Sequence, residues 1–297
     1  MSTNQLYHTW FERIKQLRPH ERVTRLRTFA WLIVGIYQSR SVHLSKIAGK
    51  IPGPAKLLSI TRRLGRFLTN PAVRVREWYE PIARALLQSM AVTGVGDSEF
   101  GAVEVIRQLE AWKWGYVLRQ KAKHQVKLAE GRGWQNFGDV IHKPGQSMWL
   151  GRGLLTGKYA HPVNLLAHWK AGEDEPWLLV TNLSSRQAAL KAYRRRMWID
   201  EMFGDLKGNG FDLESTHLRN FVRLSRLTLA VVLLYVWLVS MGVRAIKNGQ
   251  RRLVDRADRR DLSIFQIGLR LADRYLTNAL SFSIRLCPVY GCKVSGS

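Results

Sequence analysis

Tyr193-Arg-Arg-Arg-Met-Trp-Ile-Asp-Glu-Met-Phe-Gly-Asp-Leu-Lys207 is the stretch on which the reading of the chain turns. Taken as one helix, it keeps two faces. Trp198, Met202 and Leu206 recur every four residues and stack on one side. Tyr193, Arg196, Asp200 and Lys207, at successive offsets of three, four and seven, run down another. A carboxylate at Asp200 then lies between a guanidinium one turn before it and an ammonium two turns after it. That arrangement suits a site holding a metal and a phosphodiester together, the carboxylate taking a hard divalent cation and the cations taking phosphate oxygens. Alternating charge is also what a solvated, salt-bridged helix face shows. Spacing alone leaves both readings open.

The rest of the chain narrows the partner. At 297 residues it can bury a large core, as one domain or two, and 46% apolar content excludes a disordered chain. Lys and Arg number 47 against 22 acids, a formal charge of +25. Such an excess points to a polyanion, and both nucleic acid and anionic membrane qualify. The two cysteines, Cys287 and Cys292, make neither a disulfide framework nor a zinc set and fit a reducing compartment. No signal peptide is visible in the first residues, so the expected location is cytoplasmic.

Residues 1–90 read as helical and basic. Up to Gly96 there are sixteen Lys or Arg, four Glu and no Asp. A Pro-Gly-Pro turn at 52–54 precedes a helix-like stretch carrying Lys56, Arg62, Arg63 and Arg66, and Arg74, Arg76 and Arg84 come next with Trp78 and Tyr79 among them. Cations beside aromatics suit phosphate and base contacts, and equally a soluble basic surface. At Val92 the texture changes. A short strand leads to Asp97, an apolar-striped helix runs over 103–109, and Tyr116–Arg119 reads as the next strand, a parallel crossover unit. Asp97 then sits at the C-terminal end of a parallel strand, where ligands collect in open α/β sheets, although it could instead cap the next helix. Residues 120–189 alternate in short runs and read as a β-rich insertion, with Lys121, Lys123, His124, Lys127 and Arg132 at its start. His124, His142, His161 and His168 lack metal-ligand spacing and read as structural or surface residues. Leu227–Val243 is the most apolar run, expected as a buried helix packed on the sheet rather than a membrane span. Arg251, Arg252, Arg256, Arg259 and Arg260 are further DNA-contact candidates.

The run from Tyr193 resembles the Tyr-(2)-Arg-(3)-Glu-(6)-Lys signature of bacterial insertion-sequence transposases of the DDE class, with Asp200 where the family has Glu. Gly96–Gly101 resembles the segment carrying that family's second catalytic Asp. The resemblance implies an α/β fold with a ribonuclease-H-like catalytic core over 91–119 and 190–285. The β-rich insertion at 120–189 interrupts that core, a helical DNA-binding region at 1–90 precedes it, and a tail covers 286–297. It implies cut-and-paste transposition, in which element ends are bound and strands are cleaved and joined with Mg²⁺ or Mn²⁺. Asp97 and Asp200 would be catalytic metal ligands. Tyr193, Arg196 and Lys207 would hold DNA phosphates near the cut, and Arg62, Arg63 and Arg66 would bind DNA through the N-terminal region. The implied partner is double-stranded DNA, with room for a homodimer on it, in the nucleoid and not at a membrane.

Two departures qualify that expectation. The family's first Asp should precede Asp97 on an opening strand, yet the acids upstream are Glu12, Glu21, Glu77 and Glu80, all in the helical region. The opening strands themselves have no room between the basic helices and Val92, so the catalytic fold reads as truncated. Asp200 is one methylene shorter than Glu, which moves its oxygens by more than Mg²⁺ geometry readily tolerates. The copy is therefore expected to be impaired, and the alternative is a non-catalytic DNA-binding relic that competes for element ends.

Overall fold

The computed structural model describes residues 3–88, 92–131, 133–208, 210–258 and 260–286. Cys287, Cys292, Arg132, Arg259 and nearly all of the expected tail lie outside them. Helical periodicity in the N-terminal third is realised as α1 (Thr3–Leu17), α2 (Val23–Ser39), α3 (Leu44–Ala48), α4 (Leu57–Thr69) and α5 (Val75–Gln88). In α4, Ile60, Leu64, Phe67 and Leu68 recur at spacings of three and four and are buried, which turns Arg62, Arg63 and Arg66 outward. α2 is apolar nearly all round, from Leu26 to Tyr37, and must be enclosed by other helices.

The enclosing helices come from the far end of the sequence. The chain divides into two units: residues 1–90 with 201–297, and residues 91–200. In the first, α9 (Phe221–Lys247) and α10 (Ile264–Thr277) share one apolar core with the N-terminal helices. α9 packs on α2, α4, α5 and α10. The expectation that its apolar run would pack on the sheet is corrected. A 27-residue helix with fourteen buried positions needs neighbours on all sides, and the two sheet faces already carry α6 and α7. α9 is long and apolar enough to cross a membrane, but 67% of its most apolar window is buried in this helical core. Asn220 and Ser263 cap the two helices, accepting hydrogen bonds from the backbone N–H of Arg223 and Gln266.

The second unit is built on a seven-stranded mixed sheet, giving a mixed α/β chain. Its strands are β1 (Thr93–Gly96), β2 (Gly115–Arg119), β3 (Gln125–Leu128), β4 (Gln135–Asn136), β5 (Ser147–Leu155), β6 (His161–His168) and β7 (Trp177–Thr181), in the order β1-β2-β7-β6-β5-β3-β4. β1 and β2 are parallel, joined through α6 (Val103–Ala111), and every other pairing is antiparallel. The expected crossover is thus present, and the β-rich segment extends its sheet. Alternation sorts the layers: Tyr116, Leu118, Leu165, Leu178 and Val180 face the side of Val103 and Ile106 on α6. Val117, Leu166 and Leu179 face the other, against Ala189, Leu190 and Tyr193 of α7 (Arg186–Arg194). β1 ends the sheet, so on one side its backbone has no strand partner among the described residues.

One buried acid ties the helical unit together. Asp205, on α8 (Met197–Leu206), is 3% exposed and accepts from Ser263 Oγ through both oxygens, at 3.0 and 3.1 Å. Burial pushes its carboxyl up to about 6, opposed by the Ser263 hydrogen bond and aided by the charge of Glu201. The folded value lies above the ordinary 3.8, so the unfolded chain gives up this proton first. The stability this group contributes therefore falls as pH rises from about 4 to about 6 and stays low above that. Asp205→Asn should raise stability at pH 7 by about 1–2 kcal/mol, less than the ~1.4 kcal/mol per unit of the full shift because the amide gains a buried donor. Its advantage should vanish near pH 4. Urea melts at the two pH values test this, and an Asn variant weaker than the parent at pH 7 would refute it.

Candidate active site

Asp97 comes directly after β1. Gly96 is paired with Leu118 in the parallel register, so Asp97 and Arg119 are the next residues out at the C-terminal ends of neighbouring strands. The loop after Asp97 is held tightly. A Cβ on Gly101 would stand 2.7 Å from the Arg119 carbonyl oxygen, and one on Gly96 would stand 2.9 Å from the Phe100 Cβ. The buried Gln120 amide donates to the Gly101 carbonyl at 3.1 Å, and Lys121 pairs with Glu99 at 3.1 Å. Asp97 does act as a cap, on the short helical turn Ser98–Phe100: its Oδ1 accepts from the Glu99 N–H at 3.1 Å. That engages one carboxylate oxygen. Oδ2 has no hydrogen-bond partner among the described residues.

The signature run is not one helix. α7 ends at Arg194, Arg195 and Arg196 form a turn, and α8 begins at Met197. The four residues are therefore distributed. Tyr193 is 3% exposed, with its ring edge-on to Trp177 at 4.9 Å. Burial raises its hydroxyl pKa; Arg119 and Arg196 oppose the rise and the charge of Asp97 adds to it. Tyr193, Arg119, Arg196 and Asp97 thus share one electrostatic neighbourhood. Arg196 pairs with Asp200 one turn on, at a loose 3.7 Å with Asp200 exposed, the geometry of a weak surface ion pair. Lys207 belongs to the helical unit and pairs with Glu214 at 2.8 Å. The apolar stripe grades from exposed Trp198, through Met202, to buried Leu206.

Metal binding is tested by the donor set. Among the described residues no three His, Cys, Asp or Glu side chains come close enough to share an ion. Asp97 and Asp200 alone do not fit a site for two divalent ions, which needs several converging carboxylates. Arg119 was not singled out from the sequence, although it ends a parallel strand just as Asp97 does. The same rule about strand ends points to it.

The N-terminal cations fall into two groups. Arg74, Arg76 and Arg84 are spoken for by Glu77 and Glu80, and Trp78 is buried against Phe29. Arg62, Arg63 and Arg66 are exposed and make no ion pair among the described residues. Arg62 and Arg66 line a groove of about 700 Å³ with Lys56 and, from α9, Arg223. Arg63 is turned aside, close enough to Tyr7 to act on its hydroxyl. Of the later cations, Arg251 is paired with Asp255 at 2.5 Å, and Arg252, Arg256 and Arg260 are exposed.

Comparison with curated proteins gives no match. Comparison with family signatures does: residues 80–237, more than half of the chain, match the transposase DDE domain. That span takes in the whole sheet unit, with Asp97 at the end of β1 and the Tyr193–Lys207 run, and the chain belongs to the transposase DDE domain family.

Proposed function

We propose that this chain is a DNA transposase of the cut-and-paste DDE type that retains DNA recognition and has lost efficient strand cleavage. The observation that carries this reading is the absence, among the described residues, of any third acid close to Asp97 or Asp200. It is supported by the position of β1 at the end of the sheet, where a ribonuclease-H-like core would add further strands and its first Asp. The family generally uses a divalent metal, Mg²⁺ or Mn²⁺. Here Asp97 and Asp200 remain as the two ligands of an incomplete set. Arg196 and Lys207 are assigned to phosphates near the cut, and Tyr193, being buried, to holding Arg119 beside Asp97. The free cations Arg62 and Arg66, with Arg63, are assigned to duplex DNA at element ends. A chain of this kind, as a monomer or as a homodimer on DNA, occupies those ends in the nucleoid and competes with an intact copy.

The test is a labelled element-end duplex with Mn²⁺, which tolerates imperfect ligand sets better than Mg²⁺, with an electrophoretic binding assay on the same duplex. The expected result is a shifted complex without cleavage, weakened by replacing Arg62, Arg63 and Arg66. Cleavage abolished by Asp97→Ala would overturn the loss of catalysis. Binding no tighter to element ends than to random DNA would overturn the recognition.

A further inference from the structure

The edge of the sheet that carries Asp97 has a second feature, to which the proposed function gives no role. The strand directions place the C-terminal ends of β1, β2 and β6 and the N-terminal ends of β7 and β5 along one edge. Ser147 and His168 face each other across β5 and β6 at that edge. Next to them is a cleft of about 250 Å³ lined by Ser147 and by Arg186, Lys191 and Arg194 of α7. The three cations are exposed and make no ion pair among the described residues. Arg186 is oriented by donating to the Ser147 carbonyl at 3.2 Å. Ser147 Oγ and His168 Nδ1 are buried without a hydrogen-bond partner. Burial lowers the His168 pKa, and Arg194, Arg186 and Lys170 lower it further, so the ring stands in a positive field. Unpaired cations and orphaned polar atoms around one cleft are what an anion would satisfy.

We infer that the cleft formed by Arg186, Lys191 and Arg194 against Ser147 and His168 is a phosphate-binding site for the DNA backbone, separate from the Asp97 end of the sheet. The inference rests on the proposed reading of the chain as a DNA-binding transposase. β5 lies four strand spacings from β1, about 19 Å. That is about half of one duplex turn of ~34 Å, so one duplex can reach both ends of the edge. The site takes phosphodiester oxygens and carries no base-reading geometry, so it serves register and affinity rather than sequence choice.

Two readouts on the full chain test this. The first tracks the His168 ring resonances during titration with pyrophosphate, assigned with His168→Gln. They should move in the parent and stay still when Arg186 and Arg194 are both changed to Gln. The second is the salt dependence of duplex binding. Replacing Arg186, Lys191 and Arg194 by Gln should lower the slope of log affinity against log salt by about 2, from ~0.9 per phosphate contact. The matched triple replacement of exposed Lys113, Lys123 and Lys158 should leave the slope within about 1 of the parent. The Lys191→Gln, Arg194→Gln double variant keeps the Arg186 bond to Ser147 and guards against misfolding. Unmoved His168 resonances in the parent would overturn the site, and an unchanged salt slope in the triple variant would overturn its assignment to DNA. Moving resonances with no duplex binding by the parent would sink the transposition reading while upholding the anion site.

Discussion

Gly268→Ala is expected to destabilise the helical unit by about 3 kcal/mol, the upper part of the usual range for overpacking. Helix propensity argues the other way, since Ala in place of a mid-helix Gly stabilises by about 1 kcal/mol. Packing outweighs it because α9 and α10 cross almost backbone to backbone. A Cβ on Gly268 would stand 1.8 Å from the Leu238 carbonyl oxygen, and one on Gly242 would stand 2.0 Å from that of Ile264. Neither obstacle is a side chain that can swing away, so the helices must separate. Gly65, within α4, supplies the control, because a Cβ there meets nothing within 4 Å. Gly65→Ala should stabilise by about 0.5–1 kcal/mol. Urea denaturation of both variants decides the matter: equal shifts in the same direction would show that the close crossing does not limit this unit.

Arg226→Met should cost about 2–4 kcal/mol, the sum of the terms given below. Arg226 is 5% exposed on α9 and faces no carboxylate. Its Nη1 donates to the Leu68 carbonyl at 2.7 Å and its Nε to the Val73 carbonyl at 2.8 Å. Leu68 is in the last turn of α4, where carbonyls lack helical partners and a cation complements the helix dipole. Methionine matches the length of the side chain but leaves two buried acceptors unpaired, at about 1–3 kcal/mol each, partly offset by no longer burying a charge. Arg226→Lys should fall between, because one ammonium cannot reproduce the fork that reaches both carbonyls. A Met variant within about 0.5 kcal/mol of the parent, the spread of neutral surface changes, would show that water replaces those bonds.

The site was legible where chemistry is local. The strand–helix–strand unit around Asp97 is written in a short apolar approach, a small-residue turn and a helical stripe, and it appears as β1, α6 and β2. The cap made by Asp97 is also local, as Asp caps usually are. The run from Tyr193 to Lys207 misled in one respect: good helix spacing does not reveal a break. The turn at Arg195 and Arg196 carries no Gly or Pro to announce it, and it separates Tyr193 from the residues expected below it. Lys207 then meets Glu214 through a chain reversal, which pattern reading does not resolve.

What the sequence determined by itself, then, is what depends on neighbours a few residues apart: the basic outer face of α4, the parallel crossover, the cap at Asp97 and the apolar identity of α9. Tertiary structure alone decided which apolar surfaces meet. It enclosed α9 among the N-terminal helices, joined β3 to β7 to the crossover as one sheet, and left β1 at its end. It also decided which cations are free, pairing Arg74, Arg76 and Arg84 with nearby acids while leaving Arg186, Lys191 and Arg194 around two orphaned polar atoms. The physical reason is that burial and Coulomb energy depend on distance in space, while periodicity records only distance along the chain.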